Sequence, residues 1–243
     1  MNEHKTRQAL NLYIILGGLF IAALVGSNLI FQKFFWWQPF KLFGSDYTFE
    51  ISVGIIAYPI TFLVTDLISE LFGKRMANKI VVAGIISAIF IYLLVSLATI
   101  VPHTEWSPVK SETFDIVFGL TGPAVFASMC AYLIAQFIDI RLYHFWKNLT
   151  KGKHLWMRNN LSTIPSQLID TAVVLLLLCV FQKIEWVRFI DLLINGFLYK
   201  VMFAIIDTPI LYLIVHFARS HFRLDPGQEI DLGSLSKKGN DLN

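Results

Sequence analysis

Ionisable side chains lie inside the long apolar runs of this sequence, where a charged group is energetically costly. One run carries Asp66 and Glu70 four residues apart, so the two carboxylates share one face of a helix. Carboxylates at membrane depth are candidates for ligand binding or for an ion path. For Glu70, a pair with Lys74 at the edge of the run is an equally good interpretation.

Two further runs repeat the pattern Gln-x-Ile-Asp, at Gln136–Asp139 and at Gln167–Asp170. The spacing of three places the amide and the carboxylate of each copy on one helix face. The two copies enter the membrane in opposite senses. This arrangement indicates either a weak inverted repeat around a shared site, as found in transporters, or a chance match.

More polar residues precede the second copy of this pattern. Arg158 and Asn160 stand at the start of the apolar run, and Ser162 and Thr163 lie just inside it. A helix that begins here would direct free N–H groups toward an anion or a carbonyl. A helix cap explains Ser162 or Thr163 alone, but it does not explain the whole polar set.

The last apolar run contains Lys200 and Asp207, seven residues apart and therefore on one helix face. A buried lysine needs a carboxylate partner. These two residues are therefore candidates either for a structural ion pair across helices or for a role in coupling.

The elements that must position these groups are membrane-spanning helices. Of the 243 residues, 56% are hydrophobic and only 15% are charged, whereas soluble domains carry about 25% charged residues. This composition excludes a soluble enzyme and a disordered chain. The apolar runs predict an all-α integral membrane protein with six transmembrane helices, over Ala9–Phe31, Ser52–Phe72, Lys79–Val101, Pro123–Phe145, Leu161–Phe181 and Phe189–Phe217.

The distribution of Lys and Arg predicts the orientation of these helices. Thirteen basic residues lie in the two termini and in the loops on their side, against five in the loops on the other side. Both termini are therefore expected in the cytoplasm. Residues 1–222 form the expected transmembrane domain, and residues 223–243 a polar, disordered cytoplasmic tail. In the first outer loop, Gly-Ser-Asp at 44–46 predicts a short interfacial hairpin.

Four carboxylates lie at a similar depth in this arrangement. At about 1.5 Å per residue, each is roughly 9–14 Å from the cytoplasmic end of its helix, and the four are Asp66, Asp139, Asp170 and Asp207. We therefore expect one polar cavity that opens toward the cytoplasmic half of the membrane. Asn28 lies nearer the other side and falls outside this expected site.

The sequence carries no motif for bond-making chemistry. It has no phosphate-binding GxxxxGK[ST], no HExxH and no GxSxG. The cysteines, Cys130 and Cys179, are separate and apolar in context, so neither a disulfide nor a metal is expected. We therefore expect no enzyme activity and no cofactor. We also expect no nucleic-acid partner, because the basic residues form topology signals between the apolar runs.

The polar groups that remain suit a planar polar heterocycle. A carboxylate accepts two N–H bonds from an amidine-like edge, whereas Gln, Asn or Arg donates to a carbonyl, and aromatic rings stack on the faces. A carboxylate at this depth can also carry a proton, and the same set of residues suits a cation path. The residues alone leave these alternatives open.

Three segments resemble the queuosine precursor transporter family, also called the vitamin uptake transporter family: YPITFLVTDLISELFGKRMANKIV, AQFIDIRLYHFWK and WMRNNLSTIPSQLIDT. The resemblance covers about Ala9 to Arg219. It implies a six-helix protein of the bacterial inner membrane, without an ATPase subunit of its own. Such a protein imports 7-cyano-7-deazaguanine, or its 7-aminomethyl form, for salvage of the tRNA nucleoside queuosine.

The resemblance also points to a set of substrate-binding residues. Acidic side chains are expected on the guanine-like N–H edge, and Gln, Asn or Arg on the carbonyl. The matched positions are Asp66, Glu70, Gln136, Asp139, Arg158, Asn160, Ser162, Thr163, Gln167 and Asp170. Lys200 and Asp207 are kept as a possible ion pair or coupling group.

The sequence therefore predicts a secondary transporter for a small-molecule queuosine precursor, with proton coupling as one possibility and with lipid as its surroundings. One alternative is a substrate-binding subunit that needs a separate ATPase module. A second alternative is an intramembrane enzyme, which would need a metal or nucleophile constellation.

Overall fold

The computed structural model describes residues 3–39, 41–42, 45–46, 48–118, 122–151, 153–182, 184–225 and 227–232. Within these residues the protein is helical almost throughout, and six helices are long and apolar enough to cross a membrane. The predicted all-α class with six spans is therefore confirmed. The helices are α1 Glu3–Ile30, α2 Tyr58–Phe72, α3 Lys74–Ile100, α4 Ser111–Phe118, α5 Gly122–Leu149, α6 Leu155–Val180 and α7 Phe189–Phe222.

Helix α6 begins six residues before the predicted start of its span. The last three of the extra residues, Arg158, Asn159 and Asn160, are polar, which is why hydropathy places the start at Leu161. They are nevertheless helical, and Arg158 among them is almost completely buried in the bundle. Similarly, α7 continues to Phe222, five residues beyond the predicted end. The short α4, in the loop after α3, was not predicted.

Four short strands join α1 to α2. Strand β1 (Phe34–Trp37) pairs antiparallel with β4 (Phe49–Ser52), and β2 (Lys41–Leu42) pairs with β3 (Ser45–Asp46). The strand pairs of the predicted hairpin are therefore present, and they extend further than the Gly-Ser-Asp turn alone suggested; Gly44 of that turn lies outside the described residues. The β1–β4 pair packs on α7, where the rings of Trp37 and Phe49 contact Tyr199 edge to face.

The two ends of the bundle are distinct. We call the end that carries this hairpin the hairpin end. The opposite end carries the start of α1 and the end of α7, because Lys5 Nζ donates to the carbonyl of His221 at 2.7 Å, and we call it the terminal end. Which end faces the cytoplasm stays a prediction.

A close backbone contact joins the hairpin end of α1 to the start of α2. Residues Val53–Ala57 form a turn of 3-10 helix before α2. A Cβ on Gly54 would lie 2.7 Å from the carbonyl oxygen of Ser27 and 2.8 Å from Cβ of Phe31. Only glycine allows this approach, which brings Tyr58 next to α1.

Part of the predicted disordered tail packs on the terminal end. The side chain of Ile230 is 4% exposed, and its N–H donates to the carbonyl of Leu71 at 2.6 Å. Glu229 forms an ion pair with Lys147 of α5 at 2.9 Å. Pro226 and residues 233–243 of the predicted tail lie outside the described residues.

Candidate functional site

A cavity of about 180 Å³ lies between α1, α2, α6 and α7 at the hairpin end. Its mouth is lined by residues next to the hairpin, including Phe34, Glu50 and Ile184. Its deep end is lined by Asp170, Lys200 and Tyr58. The cavity is smaller than the about 300–1,000 Å³ of drug-sized ligand sites, so it suits a small ligand.

An ion pair forms the deep end of this cavity. Lys200 Nζ on α7 lies 2.5 Å from Asp170 Oδ2 on α6 and 4.4 Å from the centre of the Tyr58 ring. Tyr58 also interacts electrostatically with Asp170. The buried lysine therefore has a carboxylate and an aromatic face as partners. Its carboxylate partner is Asp170 on the neighbouring helix and not Asp207, which lies half-buried on α7 itself.

Polar groups on the cavity wall were missed by the sequence analysis. Asn28 lines the cavity, and its Oδ1 accepts a hydrogen bond of 3.0 Å from Ser128 of α5. Thr171 and Glu50 also line it. The signal for Asn28 was present, since it is an amide inside an apolar run. The depth argument excluded Asn28 from the expected site, because Asn28 lies at a different depth from the four carboxylates.

The cavity opens at the hairpin end, so the expectation of an opening on the side of the termini is wrong. The reason is an ion cluster that closes the terminal end around Glu70. This carboxylate pairs with Arg158 of α6 and Arg219 of α7. It also accepts a hydrogen bond of 3.1 Å from the Tyr143 hydroxyl and lies 3.8 Å from Lys147, both on α5.

Glu70 therefore ties α2 to three other helices. Two residues predicted to bind substrate, Glu70 and Arg158, instead form an ion pair with each other. The predicted i+4 partner of Glu70, Lys74, is exposed, and the lysine near Glu70 is Lys147 of α5. A carboxylate surrounded by three cations keeps its charge satisfied inside the bundle.

Asp66 and Asp139 form a second acidic group between the cavity and the Glu70 cluster. Both side chains are buried, and their carboxyl groups interact with each other. Helix α6 supplies hydroxyl donors, because Ser166 Oγ lies 3.0 Å from Asp139 Oδ1 and Thr163 Oγ1 lies 3.4 Å from Asp66 Oδ2. Ser162 also lies near Asp139, while its own hydroxyl donates to the carbonyl of Asn159 at 3.1 Å.

The three predicted amides have different surroundings. Gln136 Nε2 donates to Thr65 Oγ1 at 2.6 Å, beside Asp66. Gln167 is buried one turn before Asp170, and its Oε1 has no donor among the described residues. Asn160 is half-buried, and its Nδ2 donates to Thr208 Oγ1 of α7 at 2.8 Å.

Of the ten predicted ligands, Asp170 lines the cavity, and the other nine do not. Five of them surround the contact between α2, α5 and α6 below the cavity, namely Asp66, Gln136, Asp139, Ser162 and Thr163. The structure thus gathers half of the predicted set in one polar layer. Ligand contact for these residues stays a prediction.

A protein-family model matches residues 52–214 of the chain, and its description is "Putative vitamin uptake transporter". The matched region contains α2 to α6 and most of α7. It includes the deep end of the cavity, the Asp66–Asp139 pair and the Glu70 carboxylate.

Three proteins of known name are similar in sequence. "Probable queuosine precursor transporter" of Bacillus subtilis is 25% identical over 175 residues, which cover 71% of this chain and 73% of that protein. "Queuosine precursor transporter" of Escherichia coli is 25% identical over 153 residues, 58% of this chain and 66% of that protein. A Haemophilus influenzae protein with the same name as the B. subtilis one is 26% identical over 132 residues, 54% of this chain and 52% of that protein. No solved structure matches the chain significantly.

Proposed function

The chain belongs to the vitamin uptake transporter family, whose model covers two thirds of it, and on this premise we propose that it imports a queuosine precursor across the bacterial inner membrane. The substrates we propose are 7-cyano-7-deazaguanine, its 7-aminomethyl form, or both. The three relatives are named as transporters of queuosine precursors, and their names support transport and not an enzymatic reaction.

The observation that carries this proposal is the cavity with a charged deep end. Apolar side chains such as Val174 and Leu175 line its sides, whereas Asp170, Lys200 and Asn28 supply polar atoms. This combination suits a small flat ring with polar edges. We propose that Asp170 accepts from the N–H edge of the deazaguanine, that Lys200 donates to its carbonyl, and that the Tyr58 ring lies against its face.

The open end of the cavity supports import. With both termini in the cytoplasm, as the Lys and Arg distribution predicts, the hairpin end faces outward. Substrate then enters past Glu50 and Phe34 and reaches Asp170 near the middle of the membrane. The Glu70 cluster closes the other side, as alternating access requires before the substrate is released.

The direct test uses a bacterial strain that neither makes nor imports the precursor. Cells that express this protein and receive 7-cyano-7-deazaguanine should regain queuosine in their tRNA. Asp170→Asn should abolish that gain, with the protein level followed by immunoblot. The matched control is Asp191→Asn on α7, because Asp191 is exposed, and it should behave like the wild type. Full queuosine in the Asp170→Asn strain would contradict the site assignment.

We also propose that the protein works as a secondary transporter without an ATPase module. Purified protein in liposomes should then take up labelled precursor without ATP or any second protein. Uptake only after an ATPase module is added would favour the binding-subunit alternative.

A further inference from the structure

Asp66 of α2 and Asp139 of α5 are two buried acidic residues of neighbouring helices that interact with each other. Their side chains are 2% and 0% exposed, and the two carboxyl groups interact electrostatically. They also contact neighbouring hydroxyls one turn apart on α6, Thr163 and Ser166. One oxygen of each, Oδ1 of Asp66 and Oδ2 of Asp139, has no donor among the described residues. Each of the two interacting carboxyl groups therefore has one buried acceptor without a donor among the described residues.

This pair differs from the other buried acids in its lack of a cation. Glu70 pairs with two arginines, and Asp170 pairs with Lys200. Among the described residues, neither Asp66 nor Asp139 takes part in an ion pair, and the side chains that donate to them are hydroxyls of α6. Two charged carboxylates in contact would repel strongly at this depth. A proton held between them removes the repulsion and supplies the missing donor.

Charged and titratable groups surround the pair on every side where helices pack against it. Glu70 lies one turn away on α2, Tyr143 lies one turn away on α5, and Asp207 of α7 faces Asp66 at longer range. On α6, Arg158 is held by Glu70 on the terminal side. The ion pairs of the described cations at this end are with Glu70 and Glu229, and none of these pairs includes Asp66 or Asp139.

A polar side chain connects the pair to the cavity. Tyr132 of α5 is buried and interacts electrostatically with both Asp139 and Asp170. Its ring contacts Tyr58 at the deep end of the cavity, with ring centres 5.8 Å apart. The amide oxygen of Gln136, one turn before Asp139, is also buried without a donor among the described residues. The layer between cavity and pair thus contains acceptors that a proton or a water molecule can bridge.

We propose that the Asp66–Asp139 carboxyl pair binds the proton whose movement drives precursor uptake. This inference rests on the proposed function. The proton enters from the hairpin end past Tyr132 and is held between the two carboxyl groups. It leaves toward the terminal end when the Glu70 cluster opens. While the pair is protonated, α2 and α5 stay in contact; loss of the proton makes the two carboxylates repel, so the helices separate. Substrate release is thereby linked to proton release.

The test uses purified protein in liposomes, labelled 7-cyano-7-deazaguanine and a membrane potential clamped at zero. With the outside one pH unit more acidic, one coupled proton per substrate supports accumulation of about tenfold. The wild type should reach this ratio, and a pH-sensitive dye inside should record one proton per precursor. Asp66→Asn and Asp139→Asn should lose accumulation but keep exchange of labelled for unlabelled precursor, which needs no net proton movement.

Matched variants distinguish coupling from damage. Asp66→Glu and Asp139→Glu retain the titratable group and should retain accumulation, and they keep the test valid if an Asn variant fails to fold. Asp115→Asn, at an exposed position of α4, should match the wild type.

Wild-type uptake without proton entry, or wild-type accumulation by both Asn variants, would overturn the proposal. Loss of exchange in folded Asn variants would assign the pair to substrate contact instead and would overturn it as well. If the wild type neither binds nor exchanges the precursor, the proposed function itself fails.

Discussion

The backbone N–H of Ile230 donates a hydrogen bond of 2.6 Å to the carbonyl oxygen of Leu71. Leu71 lies in the last turn of α2, where carbonyl groups have no partner within the helix. The tail therefore satisfies a helix end and buries an isoleucine at the same time. The contact lies next to Glu70, so the tail is part of the closed terminal end.

Ile230→Asp should weaken this contact. A carboxylate at a buried apolar position loses about 1.5–3 kcal/mol of side-chain burial and would leave the pocket for solvent. We expect a lower melting temperature in detergent and faster proteolysis of the tail. Ile230→Val retains the apolar contact and should cost about 0.5–1.5 kcal/mol at most. Equal stability of the Asp variant and the wild type would show that the tail contributes nothing.

Gly73 should resist substitution for two reasons. Its φ is +82°, a conformation that residues with a side chain adopt at a cost, and a Cβ would overlap the Glu229 carboxylate. Gly73→Ala should therefore destabilise the protein by about 1–2 kcal/mol. Gly18→Ala is the control, because a Cβ there meets nothing within 4 Å and Ala favours the helix. Thermal unfolding of both variants measures the difference.

The Glu70 cluster should be the most sensitive part of the terminal end. Glu70→Gln leaves Arg158, Arg219 and Lys147 without their shared carboxylate, and an uncompensated buried charge costs about 3–5 kcal/mol. The expected result is a large loss of thermal stability. Glu112→Gln on α4, at an exposed position, should change little. A Glu70→Gln variant as stable as the Glu112→Gln variant would contradict a closing role for the cluster.

A tryptophan in the cavity wall should block transport. Val174 of α6 lines the cavity, whereas Val180 on the same helix is 55% exposed toward the surroundings. Val174→Trp fills much of a space of about 180 Å³, so uptake of labelled precursor should be lost. Val180→Trp adds the same side chain outside the cavity and should transport normally. Normal uptake by the Val174→Trp variant would show that the substrate uses another route.

Removal of the charges at the deep end should distinguish the contribution of the ion pair to stability from its contribution to precursor binding. Lys200→Met leaves Asp170 unpaired, and Asp170→Asn with Lys200→Met removes both charges. The double variant should recover most of the stability lost in Lys200→Met, because the unpaired charge is gone. Its binding of precursor should not recover, because both polar contacts are missing. Calorimetric binding and thermal unfolding, measured on the same samples, test the two expectations separately.

The sequence was sufficient for the six spans and for part of the polar layer, whereas α4 was not predicted. Hydropathy alone located the spans, because each is predominantly apolar. The rarity of charge inside those spans pointed to Asp66, Asp139 and Asp170, all of which are buried in the structure.

Partners between helices could not be predicted in the same way. Spacing within one helix suggested Lys74 for Glu70, whereas the structure pairs Glu70 with residues of α5, α6 and α7. Such pairs depend on helix packing and rotation, which the spacing within a single helix does not determine. For the same reason, the opening at the hairpin end was not foreseen. The docking of Ile230 depends on the position of Leu71, more than 150 residues earlier in the chain.

Binding of labelled 7-cyano-7-deazaguanine to the purified protein tests the central claim most directly. The wild type should bind it saturably, unlabelled precursor should compete, and Val174→Trp and Asp170→Asn should each lose binding while Val180→Trp retains it. This pattern would place the precursor in the cavity at the hairpin end. Absence of saturable binding by folded wild-type protein, or equal binding by all four proteins, would contradict the account.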